Sequence, residues 1–393
     1  MFFNDITGHD AVKDNLRSML RGGRLPHALL LTSNPGVGAL PLAMAFAQYV
    51  LCRDRTETDS CGVCGDCYKM ERLEHPDCHC IFPVNSSKLA RTTGRSDEKP
   101  VSDQFIHLWR EAVAATGGYI SQEQWYQAID IENKQGIINK NEANELLRKM
   151  SFKSFGGGYK VAVVWLPELM NDAAANTLLK LIEEPAPQTL FLFASENPDR
   201  IIPTIRSRTQ VVNLADLSPE VIERNLVERL GTEAGEAASA ARAAGGSWGR
   251  ALSIAGREEG EPSQEDYQRF SELMRLCYGS KYLDLFEWAA QMASAGREAQ
   301  KRFCVNSISM IRDCYMLNIG MDDITYMTAE REKFCRNFAP YVSHVSTEQL
   351  VEEFQLLLRQ VIQNGNPKIL FTHFALTVCK IIGNAKGYVV AGK

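Results

Sequence analysis

The chain has 393 residues, 45% hydrophobic and 23% charged, with a formal net charge of −5. That length supports two or three domains with real cores, and the acidic balance excludes coating nucleic acid by bulk electrostatics. No apolar run approaches the ~18 residues of a membrane span, and Met1-Phe2-Phe3-Asn4-Asp5 does not open like a signal peptide, so a cytoplasmic chain with no membrane partner is expected.

Ala28–Leu31 is the first predicted strand, and the apolar stretch Ala39–Val50 is the first predicted helix. Between them, Ser33-Asn34-Pro35-Gly36-Val37-Gly38-Ala39-Leu40 has the outline of a phosphate-binding loop. A working loop, GxxxxGK[ST], needs a Lys to reach the phosphates and a hydroxyl to hold magnesium. Ala39 and Leu40 stand in those two places, while Gly36 and Gly38, which shape the turn, remain. The turn is kept and its chemistry is lost, so no ATP is expected. Backbone amides at a helix start still leave weak anion binding open.

Cys52, Cys61, Cys64 and Cys67 follow as C-x8-C-x2-C-x2-C. Disulfides are not expected in a reducing compartment, and four clustered thiolates suit a tetrahedral, closed and therefore structural Zn2+ site. Gly62 and Gly65 permit the tight turns this spacing requires. An iron–sulfur cluster is the alternative occupant. His75, Cys78, His79 and Cys80 read as packing or supporting groups, because the set of four is complete without them.

Further strands are predicted at Cys80–Phe82, Trp125–Ile131, Val161–Trp165 and Thr189–Ala194, giving an α/β domain with a mainly parallel sheet. Asn85–Asp103 is polar and basic and reads as a mobile, solvated surface loop, with DNA contact as the alternative. Helical spacing from Ala174 to Ile182 is stopped by Pro185. A working ATPase of this type ends its second central strand in Asp, often followed by Glu. Here Val161–Val164 runs into Trp165-Leu166-Pro167-Glu168, and Glu168 reads as a helix-start acid. Losing the Lys, the hydroxyl and the acid together argues against hydrolysis. Arg206 and Arg208, just before the final strand, read either as surface charges or as an arginine finger for another subunit's ATP.

Strand signals vanish after Leu214. Ser218 and Pro219 cap a helix start, and 220–230, 236–244 and 250–255 form a small helical unit punctuated by Gly245-Gly246. Residues 257–262 read as a charged linker. Helical patterns then cover Tyr267–Tyr278, Tyr282–Ala293, Ala299–Leu317, Thr347–Gln363 and Lys368–Ile382. The expected domains are 1–213 (α/β, with the cysteine module at 52–67), 214–258 (helical lid) and 265–393 (all-α).

Several stretches together resemble the bacterial DNA polymerase III clamp-loader family. They are Phe2-x5-Gly8-His9, Gly22-x2-Leu25-Pro26-His27-Ala28-Leu29-Leu30, the altered loop and the four-cysteine module. Further on, they are Met170–Lys180, Glu183-Glu184-Pro185, Glu196-Asn197-Pro198 and Thr204-Ile205-Arg206-Ser207-Arg208. The resemblance covers residues 1–255, and the helical tail is compatible with the family's collar. It implies an AAA+ P-loop-type parallel-sheet domain with a zinc module, a small helical lid and an all-α collar that serves oligomerisation. It also implies a subunit that does not hydrolyse ATP, set in a five-membered ring with gamma/tau and delta subunits. Through that complex it would act on a sliding clamp and primed DNA. Ser207 and Arg208 fall on the family's Ser-Arg-Cys motif, with Thr209 in place of Cys, which implies that Arg208 completes a neighbour's ATP site. Arg250 matches the family's lid arginine. The 85–123 region is longer than usual for the family and carries no assigned role. A gamma/tau-like ATPase and a zinc-dependent scaffold of another complex are the competing readings.

Overall fold

Five short apolar runs, β1 (Ala28–Thr32), β2 (Cys78–Ile81), β3 (Lys160–Trp165), β4 (Thr189–Ser195) and β5 (Gln210–Asn213), pair into one sheet. The sheet is parallel throughout, in the order β2-β3-β4-β1-β5. The computed structural model describes residues 1–90, 100–131, 134–255, 264–320, 329–338 and 344–391. Every residue of β1, β3 and β4 is buried, as expected where helices cover both faces of a parallel sheet. Leu29, Leu31, Val161, Val163, Leu190 and Leu192 face one layer, and Ala28, Leu30, Ala162, Val164, Phe191 and Phe193 face the other.

The helices of this half are α1 (Asp10–Arg21), α2 (Ala39–Leu51), α3 (Gly65–Glu71), α4 (Ile106–Thr116), α5 (Gln122–Ala128), α6 (Lys140–Ser151), α7 (Asp172–Glu183) and α8 (Pro203–Arg206). Helix α2 is apolar all round and buried along its whole length against the sheet, so it forms the spine of the first layer. Residues of α6 and α7 fill the second layer.

Two sequence expectations are corrected here. The strand predicted at Trp125–Ile131 is instead the end of α5 and the turn after it. Ser121 Oγ accepts from the Gln124 N–H at 3.1 Å, and Gln124 Oε1 accepts from the Ser121 N–H at 2.9 Å. This reciprocal capping box starts a helix, and the neighbouring Trp125 and Tyr126 are both buried within it, which imitates a strand's apolar run. β2 also begins two residues earlier than predicted.

The solvated-loop reading of 85–103 fails at its far end, while residues 91–99 lie outside the described residues. Ser102 is wholly buried: its Oγ donates to the Phe82 carbonyl and accepts from the Phe82 N–H, both at 3.1 Å. Its own N–H donates to Glu142 Oε2 at 2.5 Å. The residues that follow supply core: Trp109 stacks on Phe82 with centroids 4.3 Å apart and meets Trp125 edge-on at 5.1 Å.

Next come α9 (Pro219–Leu230), α10 (Ala234–Ala243) and α11 (Trp248–Ala255). They share a small core of Ile222, Leu226, Ala237, Ala241, Trp248 and Ala251, joined by Tyr119 from the segment between α4 and α5. By contact the chain falls into two compact units, Met1–Gly256 and Arg257–Lys393. In the second, α12 (Gln264–Gly279), α13 (Tyr282–Ser294), α14 (Arg297–Asn318), α15 (Ala329–Phe338), α16 (His344–Ile362) and α17 (Pro367–Ala391) surround an aromatic core. Phe270, Trp288, Phe303, Phe354 and Phe371 lie at its centre. Helix α15 was not marked from sequence, and the predicted charged linker lies outside the described residues. Among the described residues, no helix is long and apolar enough to cross a membrane.

Replacing Trp109 with Ala should cost about 3–5 kcal/mol in urea unfolding, because it opens a cavity between Phe82 and Trp125. A loss under about 1 kcal/mol would mean that the 85–123 segment only rests on the core.

Candidate functional site

β1 ends at Thr32 and α2 begins at Ala39, and the turn between them depends on glycine. Gly36 and Gly38 have φ of +72° and +134°, which L side chains rarely adopt, and a Cβ on Gly36 would stand 2.5 Å from Ser247 Oγ. Ala39 and Leu40 are 4% and 3% exposed and belong to the core. Pro41 follows in the first turn of α2, where a helix start normally offers free N–H groups to an anion. It removes one of them, a loss visible in the sequence but not marked there.

The segment from Asp216 through α11 meets this loop directly. The Gly249 N–H donates to the Gly36 carbonyl at 2.9 Å, and Asn34 Nδ2 donates to both Asp216 oxygens at 2.9 and 3.0 Å. The Tyr119 ring packs against Gly38, and its hydroxyl accepts from the Thr7 N–H at 3.4 Å. Arg250 sits in the first turn of α11, where its N–H donates to Ser247 Oγ at 3.3 Å. That turn is the part of the lid resting on Gly36.

Two carboxyls occupy the strand ends beside the loop. Glu168 Oε1 accepts from the Glu196 and Asn197 N–H groups, both at 2.9 Å. It stands in the first turn of the short 3-10 helix Pro167–Leu169, as a helix-start acid, and also ties the exit of β3 to the exit of β4; burial raises its pKa. Burial, reinforced by the nearby Glu168 charge, pushes the Glu196 pKa up to about 8, opposed by the Gly36 N–H. Nothing in the spacing of Glu196 announced this burial.

Arg208 lies elsewhere. It follows α8 and precedes β5, whose Gln210 pairs with Leu29, four residues before Ser33. At about 3.3 Å per strand residue, Arg208 is more than roughly 13 Å from its own loop, at the opposite end of the sheet. Its Nη1 donates to the Thr204 carbonyl at 3.1 Å and to Ser207 Oγ at 3.4 Å, and its Nη2 pairs with Glu183 Oε1 at 2.7 Å. Ser207 Oγ in turn donates to the Thr204 carbonyl at 3.1 Å. Arg206 pairs separately with Asp199 at 3.6 Å.

Cys52 caps the C-terminus of α2, Cys64 caps the N-terminus of α3, and Cys61 and Cys67 complete the group. All four Sγ atoms lie within 4.8 Å of one another. The close pairs, 3.6 Å for Cys52–Cys61 and 3.9 Å for Cys52–Cys64 and Cys61–Cys67, match a tetrahedron. Its edge is about 3.8 Å when the metal–sulfur bond is about 2.3 Å. Burial favours the neutral Cys64 thiol, but N–H groups of Cys67 and Arg53 and the neighbouring thiols bring its pKa down to about 6. The cluster has the geometry to bind a metal such as zinc. Cys78, His79 and Cys80 stand outside it, and His75 Nε2 lies 3.3 Å from Asp66 Oδ1.

A family model described as "DNA polymerase III, delta subunit" matches residues 8–218. The DNA polymerase III subunit delta' of Escherichia coli K12 is 28% identical over 61% of this chain and 58% of its own length. The delta' subunit of Yersinia pestis is 32% identical over 47% of this chain and 41% of its own. The gamma/tau subunit of Mycobacterium bovis is 25% identical over 64% and 36% respectively. The chain spans about half the length of the delta' relatives it matches. A crystal structure of a DNA polymerase III gamma subunit-related protein from Thermotoga maritima aligns with a TM-score of 0.38 and 14% identity. That alignment covers 93% of this chain and 99% of its own, a likeness too loose to add to the assignment.

Because folding raises the Glu196 pKa from about 4.3 to about 8, the native state holds a proton there that the unfolded chain has released. This contribution to stability is complete at low pH and is lost as pH rises through about 8. Glu196→Gln should therefore flatten the fall in stability between about pH 5 and pH 8, followed by urea unfolding at several pH values. An unchanged pH slope would contradict the burial of Glu196 beside Glu168.

Proposed function

The chain belongs to the DNA polymerase III delta-subunit family, and from that premise we propose that it is a delta-prime-type, non-hydrolysing subunit of the clamp loader. Its partners in this reading are gamma/tau and delta subunits, and it acts on the sliding clamp and primed DNA through the assembled ring. The carrying observation is the opposed placement of two features. The chain's own loop is held by Gly249 and Asp216 of the lid, while Arg208 stands exposed at the other end of the sheet. An arginine there has no triphosphate to meet in its own subunit and serves a neighbour's. Developing negative charge on a transferring phosphoryl group is what such a cation stabilises. Ser207 shapes the approach by capping the turn from which Arg208 projects.

The gamma/tau-like alternative has relatives in its favour, but it needs a loop able to hold ATP. Ala39, Leu40 and Pro41 remove the cation, the metal ligand and one amide from that loop. In the proposed reading Cys52, Cys61, Cys64 and Cys67 hold a structural Zn2+. With all four positions filled by protein, it fixes the chain between α2 and α3 and takes no part in chemistry.

Arg208→Ala should leave assembly with gamma/tau, delta and the clamp intact and lower the DNA-stimulated ATPase of the reconstituted loader. A finger contributes about 10³-fold or more at the site it serves, so that site's share of turnover disappears. Unchanged ATPase and clamp loading would contradict the assignment. Elemental analysis should find about one zinc per chain, and Cys64→Ser should lower both the metal content and the thermal midpoint. A folded, metal-free native preparation would rule the zinc site out.

A further inference from the structure

The partner of Arg208 is unusual in its position. Glu183 is the last residue of α7, where the carbonyl end of the helix carries partial negative charge and disfavours an acid. Helix stability therefore does not account for a carboxylate there. α7 ends just before β4 begins, at the same end of the sheet from which Arg208 enters β5. The two side chains meet at 2.7 Å, 46% and 40% exposed, so their attraction is screened by water and readily exchanged.

The atoms engaged are the informative part. Nη2 is held by Glu183, and Nη1 by the Thr204 carbonyl and Ser207 Oγ. These two nitrogens form the fork that a guanidinium presents bidentately to a phosphoryl group. Glu183 therefore occupies one prong of the fork that the neighbour's triphosphate would need.

We infer that Glu183 is a resting latch: it positions Arg208 at the subunit edge and must release it before the guanidinium can meet a triphosphate. This rests on the reading of Arg208 as a finger acting in trans. A triphosphate with its metal offers several anionic oxygens against one carboxylate, so the exchange runs toward phosphate once the neighbouring site closes. Until then Glu183 neutralises the arginine and restrains premature turnover.

The test uses the reconstituted loader, with ATPase measured with and without primed DNA for Glu183→Gln, Glu184→Gln, Arg208→Ala and the Glu183→Gln/Arg208→Ala pair. Glu183→Gln should raise the DNA-free rate about two- to five-fold, the scale of one exposed ion pair. Glu184→Gln removes the same charge one residue away and should leave the rate unchanged. The double variant should behave as Arg208→Ala alone, which a general effect of Glu183 on folding or assembly would not reproduce. The latch is overturned, with the finger intact, if Arg208→Ala lowers ATPase while Glu183→Gln leaves the DNA-free rate unchanged or lowers it. It is equally overturned if Glu184→Gln gives the same gain, or if the gain survives in the double variant. If Arg208→Ala changes nothing, the trans reading falls, and the latch falls with it.

Discussion

The parallel register of β5 against β1 is the constraint on which the rest depends. Gln210 pairs with Leu29 and Asn213 with Thr32, so the loop after β1 and the arginine before β5 leave the sheet at opposite ends. A one-residue slip would turn the buried Val212 outward, so packing holds the register firmly. No side-chain rotation carries Arg208 along the length of β5 to its own loop. Arg208 is thereby placed away from its own loop.

At the loop end, Ala39 and Leu40 are buried in the core and contacts within the chain hold the turn. The Gly249 amide holds the Gly36 carbonyl, and Asp216 holds Asn34. Each hydrogen bond of this kind contributes on the order of 1 kcal/mol, so together they favour one lid position without a ligand to bridge the two parts. Helix α2 then runs about 20 Å from this closed loop to the cysteine cluster, buried throughout. Both ends of that helix are tied down, one by the lid and one by the geometry of four thiols.

Much of this was legible in the sequence, for definite reasons. The central strands are continuous apolar runs, and the missing Lys, hydroxyl and acid are read position by position within a short motif. The cysteine spacing carries its own geometry. What stayed hidden depends on contacts between distant residues. Glu168 and Glu196 are ordinary acids until β3 and β4 lie side by side, and Tyr119 meets the lid only because a long segment folds back over α2. Trp125 and Tyr126 read as strand because neighbouring aromatics carry no helical period, while the Ser121–Gln124 box beside them carried the correct signal. Ser102 looked solvated because nothing local shows that Phe82 and Glu142 will bury it.

The most direct single measurement is calorimetric titration of Mg-ATP into the full chain, with hydrolysis followed in the same sample. A flat isotherm and no turnover are expected from a loop that has Ala39 and Leu40 in place of Lys and hydroxyl and is held by Gly249 and Asp216. Saturable binding in the micromolar range, with ATP cleaved by the isolated chain, would contradict the closed-loop account at its centre.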